Sequence, residues 1–360
     1  MPTKTPAAIL IEKDRPMVID DIELPDLGPS HVLVKQFATG VCHSQLHELD
    51  RPQPTVPLVL GHESTGVVVA MGKDVTHVKE GDHVMVTWVQ RNPVNGPRPV
   101  PAKVSYKGKE VKYGAPANVG TFTWAESVVV DEQMVVPLDK AADVDATAPV
   151  GCAVMTGVGA AINAAMVRPG ESVAVIGVGG VGLSVVAGAA IAGAYPIVAV
   201  DLSDEKIEFA KQFGATHGVN ARNGDPVEQI REMFGGGFTA GVDHAFDAIG
   251  LKITMEQSLM MARARRPGDR EGGQAIVVGV PHGEPATPPM GMLFGGKVYR
   301  GAPGGCSIPD RDFPMMIRWF LEGRLPLDKM VTKTYKLEQI NEACDDLRAG
   351  KIAGRSIVKF

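Results

Sequence analysis

The sequence predicts a two-domain α/β protein, in which a β-rich domain is combined with a domain built on a doubly wound parallel sheet. The chain has 360 residues, more than the roughly 250 to 300 at which a single hydrophobic core stops growing. Short β-type runs separated by Gly, Pro and Asp fill the segment from Leu24 to Val136. After Cys152, helical segments alternate with apolar strands, the pattern of a parallel sheet.

The domain boundaries follow the change in pattern. We assign residues 1–153 and 304–360 to the β-rich domain and residues 154–303 to the parallel-sheet domain. The tail is returned to the first domain because it ends in a strand, "RSIVKF", after the helical segments "FPMMIRWFLEG" and "LEQINEACDDLRAG".

Composition indicates small-molecule partners. The net charge is −5, from 36 basic and 41 acidic side chains, and no block of like charge suggests nucleic acid or a membrane surface. Ser172–Val200 has no charged residue, but its glycines and β-branched runs favour strand, helix and strand over a membrane span. The widely spaced cysteines and the absence of a signal-peptide pattern predict a cytoplasmic protein. The cysteines are Cys42, Cys152, Cys306 and Cys344.

The segment "VAVIGVGGVG" carries a G-x-G-x-x-G motif between a strand and a helix, with Gly177, Gly179 and Gly182 at the motif positions. Gly180 and Val181 complete the turn. Glycines here allow a tight turn, a close approach of backbone to a pyrophosphate, and contact between helix and strand. The motif predicts a Rossmann dinucleotide site, and the alternative is a glycine-rich turn that binds nothing.

Asp201 ends the next strand, where a carboxylate binds both ribose hydroxyls of NAD and repels the 2′-phosphate of NADP. This position predicts a preference for NAD. Lys206 either contacts the adenosine ribose or is a solvated helix charge.

The stretch "GVCHSQLH", Gly40 to His47, is rich in metal-binding residue types but fits no self-contained zinc motif. Any metal site that includes it requires ligands from distant parts of the chain.

Four segments in order, "GVCHSQLH", "GHESTG", "VGCAVMTGVGA" and "GVGGVG", resemble the zinc-dependent alcohol dehydrogenases of the medium-chain dehydrogenase/reductase superfamily. The resemblance continues to "GKVYRGAPGG" and "GRSIVKF". It implies a GroES-like catalytic domain, a Rossmann domain, NAD, and a homodimer or homotetramer. It also implies a catalytic zinc held by Cys42, His62 and Cys152, whose two thiolates and one imidazole leave a fourth position open for an alcohol or carbonyl substrate.

The resemblance assigns further roles. Glu63 lies behind the zinc or binds it transiently, and Ser44 and His47 form a proton relay through the cofactor ribose. His43 and Arg355 match positions that contact the pyrophosphate. The alternative for the relay and pyrophosphate residues is an ordinary exposed polar side chain. Cys152 alone could be a small buried hydrophobic residue, and His62 beside Glu63 could be only a surface pair.

Trp88, Trp124 and the weaker candidate Val280 match substrate-pocket positions, although tryptophan in a β-rich domain is often core. The chain also departs from the family. The lobe Arg91–Gly120 contains no cysteine, so we expect one catalytic zinc and no structural zinc. Gln45 replaces an aspartate that supports the zinc-bound histidine, which predicts a more electrophilic metal.

The sequence therefore predicts a zinc-containing, NAD-dependent enzyme that interconverts an alcohol and its aldehyde or ketone. One rival is a zinc-free reductase of quinones or activated double bonds. The other is a nucleotide-binding protein without turnover.

Overall fold

A computed structural model describes residues 3–114 and 120–360. Part of the predicted lobe, residues 115–119, and residues 1–2 of the predicted first domain lie outside the described residues. The strands are β1 Thr3–Leu10, β2 Val18–Leu24, β3 His31–Gly40, β4 Leu58–Val59, β5 Ser64–Met71, β6 His83–Val86, β7 Ser105–Tyr106, β8 Lys109–Glu110, β9 Lys112–Tyr113, β10 Ser127–Asp131, β11 Val135–Pro137, β12 Val173–Ile176, β13 Ile197–Asp201, β14 His217–Asn220, β15 His244–Asp247, β16 Gln274–Val277, β17 Val298–Gly301, β18 Val331–Lys336 and β19 Arg355–Lys359. The α-helices are α1 His43–Leu49, α2 Val144–Thr147, α3 Ala153–Gly159, α4 Gly180–Ile191, α5 Asp204–Ala210, α6 Pro226–Met233, α7 Lys252–Met261, α8 Gly291–Phe294, α9 Pro309–Leu321, α10 Leu327–Met330 and α11 Ile340–Arg348.

The chain divides into two compact units. Unit 1 comprises Met1–Cys152, Ile308–Gly323 and Leu327–Phe360, and unit 2 comprises Ala153–Ser307 and Arg324–Pro326. The sequence placed the outer boundaries after residues 153 and 303 and did not assign the short segment Arg324–Pro326 to the second domain.

Unit 2 is built on a parallel sheet with the strand order β14-β13-β12-β15-β16-β17. All of its strand pairs are parallel. This is the doubly wound order of a dinucleotide-binding domain, in which the chain reverses direction across the sheet at the first strand. The strands of this sheet are mostly buried runs of apolar residues, such as β12, as a sheet covered on both faces requires.

Unit 1 contains two mainly antiparallel sheets, with the orders β8-β7-β2-β1-β4-β9 and β11-β6-β5-β3-β19-β18. Strand β3 is central to the second sheet. One edge of β3 pairs with β5, and β10 and β19 pair with its first and last residues respectively. The C-terminal strand β19 therefore lies beside the end of β3, with Ile357 opposite Gly40. This pairing makes the C-terminal tail part of unit 1.

No single helix among residues 3–114 and 120–360 is long and apolar enough to cross a membrane. Two consecutive short helical segments, Val144–Gly151 and Ala153–Ala164, reach that length and composition only when they are counted together.

The cysteine-free lobe is attached to the rest of unit 1 by a buried carboxylate. Asp131 is 2% exposed, and its Oδ2 accepts hydrogen bonds from Ser30 Oγ at 2.7 Å and from the Val100 backbone N–H at 3.0 Å. The ring of His31 adds a hydrogen bond from Nε2 to Val100 O at 2.8 Å, since its Nδ1 already accepts from Gly28 N–H. These contacts fix Val100 through both its N–H and its carbonyl.

A tyrosine holds the lobe further along. The ring of Tyr113 stacks on Phe122, with 5.4 Å between centroids and 15° between the planes. Its hydroxyl donates to Ala102 O and accepts from Val104 N–H at 3.2 Å. Hydrogen bonds and ring packing therefore hold the described part of the lobe.

We predict that Asp131→Ala loosens the lobe. Removal of a buried carboxylate that accepts several hydrogen bonds costs about 3 kcal/mol, and the lobe contains lysines and arginines that trypsin can cleave once it opens. The measurement is the rate of tryptic cleavage between residues 91 and 114. Asp139→Ala is the control, because that exposed carboxylate accepts a hydrogen bond only within its own turn, from Ala141 N–H at 2.9 Å. Equal cleavage rates in the two variants would show that Asp131 does not hold the lobe.

Candidate metal centre and dinucleotide site

Strand pairing in unit 1 brings two candidate ligands together. Cys42 follows the end of β3, and His62 lies just before the start of β5. These strands are antiparallel neighbours with Thr39 opposite Ser64, so the two side chains emerge at the same end of the sheet. A separation of twenty positions in sequence thus becomes a short distance in space.

Cys152 reaches the same place from a helical turn at Ala148–Gly151. Thr87 Oγ1 donates to Gly151 O at 2.7 Å and fixes this turn against the end of β6. Glycine is required at 151 because a Cβ there would collide with the Val86 carbonyl and lie 3.1 Å from Glu63 Cα.

The three side chains form the cluster of possible metal ligands found among the described residues, with all ligand atoms within 4.8 Å of one another. The sulfurs of Cys42 and Cys152 are 3.9 Å apart, and His62 Nε2 is 3.2 Å from Cys152 Sγ. A tetrahedral zinc with bonds of about 2.3 Å to sulfur separates two thiolates by about 3.8 Å. The donors are 6%, 3% and 7% exposed, in the order Cys42, His62 and Cys152. Donor types, spacing and burial fit zinc.

The two thiols are electrostatically unequal. The pKa of Cys42 is held well below its usual value, mainly by the hydrogen bond from Cys152 and also by the nearby Arg355 charge. The pKa of Cys152 is raised well above its usual value, because it donates that bond to Cys42 and is buried. Metal binding requires both cysteines as thiolates, so a divalent cation bound here would take the place of the proton that Cys152 donates to Cys42.

Glu63 and Arg355 form a buried ion pair beside the thiols. Glu63 Oε1 lies 2.8 Å from Arg355 Nη2, and the two side chains are 0% and 5% exposed. Gly40 makes room for the carboxylate, since a Cβ at that position would overlap Glu63 Oε1. Burial opposes the charge on Arg355, but the adjacent thiols and carboxylate raise its pKa above the ordinary arginine value.

The structure gives Arg355 a partner that the sequence did not suggest. We expected it to contact the cofactor pyrophosphate, and that contact stays a prediction. Its observed contacts are with Glu63 and Cys42, because β19 pairs with the last residues of β3 and thereby places Arg355 beside Cys42. The pairing of Glu63 with a residue almost 300 positions away had no signal in the sequence.

Gln45 contacts a metal ligand directly. Its side chain is 1% exposed, and its Nε2 lies 2.7 Å from His62 Nδ1. Its Oε1 accepts a hydrogen bond from the Gly61 backbone N–H. Gln45 thus occupies the place behind the imidazole that the resemblance assigned to an aspartate.

Helix α1 places the predicted relay residues close to Cys42, which is the N-cap of this helix. Ser44 Oγ donates to Cys42 Sγ at 3.2 Å. The rings of His43 and His47 meet edge to face, with centroids 5.5 Å apart. His43 is exposed, whereas Ser44 and His47 are half-buried.

The three predicted pocket residues differ in their surroundings and in their exposure. The Trp88 ring lies 6.5 Å from that of His62, edge to face. Trp124 is 0% exposed and packs in a core cluster with Leu46 and Ile340, while its indole N–H donates to Gly40 O at 3.2 Å. This is the core alternative that the sequence left open. Val280 belongs to unit 2 and is 50% exposed.

The three glycines of the motif in unit 2 meet three different local requirements. Gly177 has φ +85°, the left-handed region, directly after β12. Gly182 lies against the turn, where a Cβ would overlap the Gly177 carbonyl. Gly179 is the N-cap of α4 and has no side-chain cap, and a Cβ there would have no atom within 4 Å. Open space at a free helix N-terminus is suited to a phosphate group. Gly180 and Val181 begin α4.

Asp201 lies at the end of β13, beside this turn. Its Oδ2 accepts from Val178 N–H at 3.0 Å, and its Oδ1 accepts from Leu202 N–H at 2.7 Å and Ser203 N–H at 3.1 Å. The backbone therefore fixes the carboxylate next to the glycine turn. Lys206 is in the first turn of α5, where its backbone N–H donates to Ser203 Oγ at 3.3 Å.

Comparison with known proteins agrees with this architecture. Residues 28–140 match the alcohol dehydrogenase GroES-like domain, and residues 180–322 match the zinc-binding dehydrogenase domain. An S-(hydroxymethyl)glutathione dehydrogenase of Synechocystis is 35% identical over 384 residues, which covers 99% of this chain and 100% of that protein. A class-3 alcohol dehydrogenase of Cereibacter sphaeroides is 34% identical over 388 residues, again 99% and 100%. The crystal structure of benzyl alcohol dehydrogenase from Acinetobacter calcoaceticus has a TM-score of 0.86 and 30% identity, and 99% of each chain is covered.

The fold and site define an oxidoreductase with a GroES-like domain and a Rossmann domain. The chain belongs to the zinc-dependent alcohol dehydrogenases of the medium-chain dehydrogenase/reductase superfamily, which confirms the resemblance seen in the sequence. It is an enzyme that interconverts an alcohol and its aldehyde or ketone by hydride transfer with NAD(H).

Two glycine variants should separate binding from folding in unit 2. Gly179→Ala meets no atom and should leave the melting temperature nearly unchanged, while the added methyl group in the phosphate space weakens NADH binding at least tenfold. Gly182→Ala forces the Gly177 carbonyl to move and should lower the melting temperature as well. The measurements are NADH fluorescence titration and thermal unfolding. Normal NADH binding by Gly179→Ala would contradict the assignment.

Proposed function

We propose that this enzyme oxidises a primary alcohol, with one catalytic zinc per chain held by Cys42, His62 and Cys152. The observation that carries the proposal is the buried cluster of two sulfurs and one imidazole at tetrahedral spacing. The names of two relatives denote substrates with a CH₂OH group, S-(hydroxymethyl)glutathione and benzyl alcohol, which supports a primary alcohol. Trp88 beside His62 supplies an aromatic wall for a group attached to that carbon.

Zinc in this site supplies a Lewis acid that lowers the pKa of a hydroxyl group, and NAD supplies the hydride acceptor. The chain's own residues manage the proton. Ser44, with its hydroxyl on Cys42 Sγ, is positioned to accept a proton released beside Cys42. His47 lies one turn further along α1 and passes the proton towards solvent. Glu63 and Arg355 keep the buried charge behind the thiolates balanced.

Unit 2 supplies the cofactor contacts in this proposal. The pyrophosphate lies at the N-terminus of α4 over Gly179, and Asp201 binds the adenosine ribose, with Lys206 beside it. His43 and Arg355 remain proposed pyrophosphate contacts. Val280 remains a proposed pocket residue because half of its surface is exposed.

The lobe Arg91–Gly120 has no cysteine, so the proposal includes no structural zinc. Asp131 and Tyr113 supply the attachment that we described instead. The free state of all four cysteines supports a cytoplasmic location, and the family suggests a homodimer or homotetramer with small-molecule partners only.

The deciding experiment combines zinc analysis with an alcohol screen. Purified protein should contain one zinc per chain and reduce NAD with primary alcohols, and Cys42→Ala should lose both the zinc and at least 99% of activity. Cys344→Ala is the matched control, since it removes a buried thiol from the core cluster of Trp124, away from the proposed ligands. Active wild-type protein without zinc would favour the zinc-free reductase, and zinc without turnover would favour a binding protein.

The NAD preference makes a separate prediction. Asp201→Asn removes the charge that repels a 2′-phosphate and keeps one oxygen, which can still accept from the Leu202 and Ser203 N–H groups while its NH₂ group replaces the acceptor of Val178 N–H. The ratio of kcat/KM for NADP to that for NAD should rise at least tenfold, a change of about 1.4 kcal/mol. The measurement is initial rates with both cofactors at saturating alcohol. An unchanged ratio would remove Asp201 from the specificity determinants.

A further inference from the structure

The parallel sheet of unit 2 has a second edge, at the amino-terminal ends of its strands, and a cavity lies there. Among the residues that line it, Glu171 comes just before β12, and His244 and Gln274 are the first residues of β15 and β16. The glycine turn at Gly177 lies at the other end of β12. The cavity, which we call the amino-edge cavity, has a volume of about 560 Å³, within the range of roughly 300 to 1,000 Å³ that small-molecule pockets have. It is therefore separate from the proposed dinucleotide site and large enough for a ligand.

Five of the residues that line the amino-edge cavity are paired with one another. Arg263 Nε lies 2.6 Å from Asp243 Oδ1, and Arg263 Nη1 lies 2.6 Å from Asp269 Oδ2. Glu171 Oε2 accepts a hydrogen bond from His244 Nε2 at 2.8 Å, and His244 is 4% exposed. The other ring nitrogen, His244 Nδ1, is buried and has no hydrogen-bond partner among residues 3–114 and 120–360. These pairs fix one side of the cavity and leave a polar atom there that the fold itself does not satisfy.

Three further charged residues line the same cavity and have no ion pair within the part of the chain that the structure describes. They are Arg168, Arg270 and Glu271, and all three are exposed. The cavity therefore offers two free guanidinium groups and one free carboxylate. A purely anionic ligand would meet the carboxylate of Glu271, and a purely cationic ligand would meet the two guanidinium groups. A ligand with one carboxylate and one ammonium group matches the charges of both signs, and a guanidinium binds a carboxylate through two parallel hydrogen bonds.

The amino-edge cavity also has an apolar wall, which carries backbone strain. Met166 lines the cavity, is 61% exposed and has φ +53°, in the left-handed region that residues other than glycine, asparagine and aspartate rarely adopt. It follows the helical segment that ends at Ala164, a position where glycine is the usual residue. Glycine would relieve the strain but would remove the exposed thioether side chain from the cavity. Methionine adapts well to apolar groups of different shape, so Met166 indicates a ligand with an apolar part.

We propose that the amino-edge cavity binds a small zwitterion, namely an amino acid with an apolar side chain. Arg168 and Arg270 bind its carboxylate, Glu271 binds its ammonium group, and Met166 contacts its side chain. The site lies within unit 2, at the edge of the sheet opposite to the glycine turn. It is independent of the metal ligands and adds a second ligand to the proposed alcohol chemistry.

Three probes test the class of ligand: L-phenylalanine, N-acetyl-L-phenylalanine and L-phenylalanine amide. The acetyl group removes the ammonium charge, and the amide removes the carboxylate charge. The measurement is calorimetric titration of the full-length protein with NADH present, so that the probe does not compete for an empty cofactor site. L-phenylalanine should bind saturably, and each derivative should bind about tenfold more weakly, because one charge then lacks a partner. Absence of saturable L-phenylalanine binding, or equal affinity for either derivative, overturns the proposal.

Three variants place the binding in this cavity. Arg270→Gln removes one guanidinium and should weaken L-phenylalanine binding about tenfold, and Met166→Gly should weaken it without lowering the melting temperature, since glycine accepts the left-handed backbone. Arg266→Gln is the matched control, because Arg266 is an exposed arginine four residues earlier that does not line the cavity. It should bind L-phenylalanine as wild type does. Unchanged binding by Arg270→Gln, or an equal loss in Arg266→Gln, overturns the proposal, whereas loss of zinc or of alcohol oxidation concerns only the proposed function.

Discussion

The buried charge at the end of β3 is the constraint on which the rest of unit 1 depends. Three acids, Cys42, Cys152 and Glu63, share this place with one permanent cation, Arg355. Uncompensated charges in such an interior cost several kcal/mol each. The arrangement is neutral with a divalent cation and two thiolates, or it keeps a proton on sulfur. Glycines around the site, such as Gly40 and Gly151, leave the space in which these groups pack close to one another.

The parts of the molecule that follow local rules were readable from the sequence. The turn at Gly177, Gly179 and Gly182 sets its own geometry through a positive φ, an open approach and a close helix contact. The position of Asp201 could be predicted because β13 is parallel to β12 and ends at the same edge of the sheet as the glycine turn. The three metal ligands lie far apart in sequence, so spacing alone did not join them. The resemblance to a family did.

The remaining contacts depend on register and packing that a sequence does not display. Arg355 meets Glu63 only because β19 pairs with β3 such that Ile357 lies opposite Gly40. Trp124 is buried because α11, from the far end of the chain, packs over it. The residues that neighbour Trp88 and Trp124 in the sequence did not distinguish a pocket tryptophan from a core tryptophan. The sequence pointed to Gln45 as a replacement beside His62, but its second contact, with the Gly61 backbone N–H, appeared only in the structure.

The carboxylate and phenol that hold the lobe have a consequence for the life of the protein in a cell. Between Arg91 and Gly120 there is no sulfur for an oxidant to attack. A lobe held by zinc and thiolates would depend on both the metal and the redox state of its sulfurs. In this chain hydrogen bonds and ring packing hold the described part of the lobe, so its attachment depends on neither a metal nor the redox state of a sulfur.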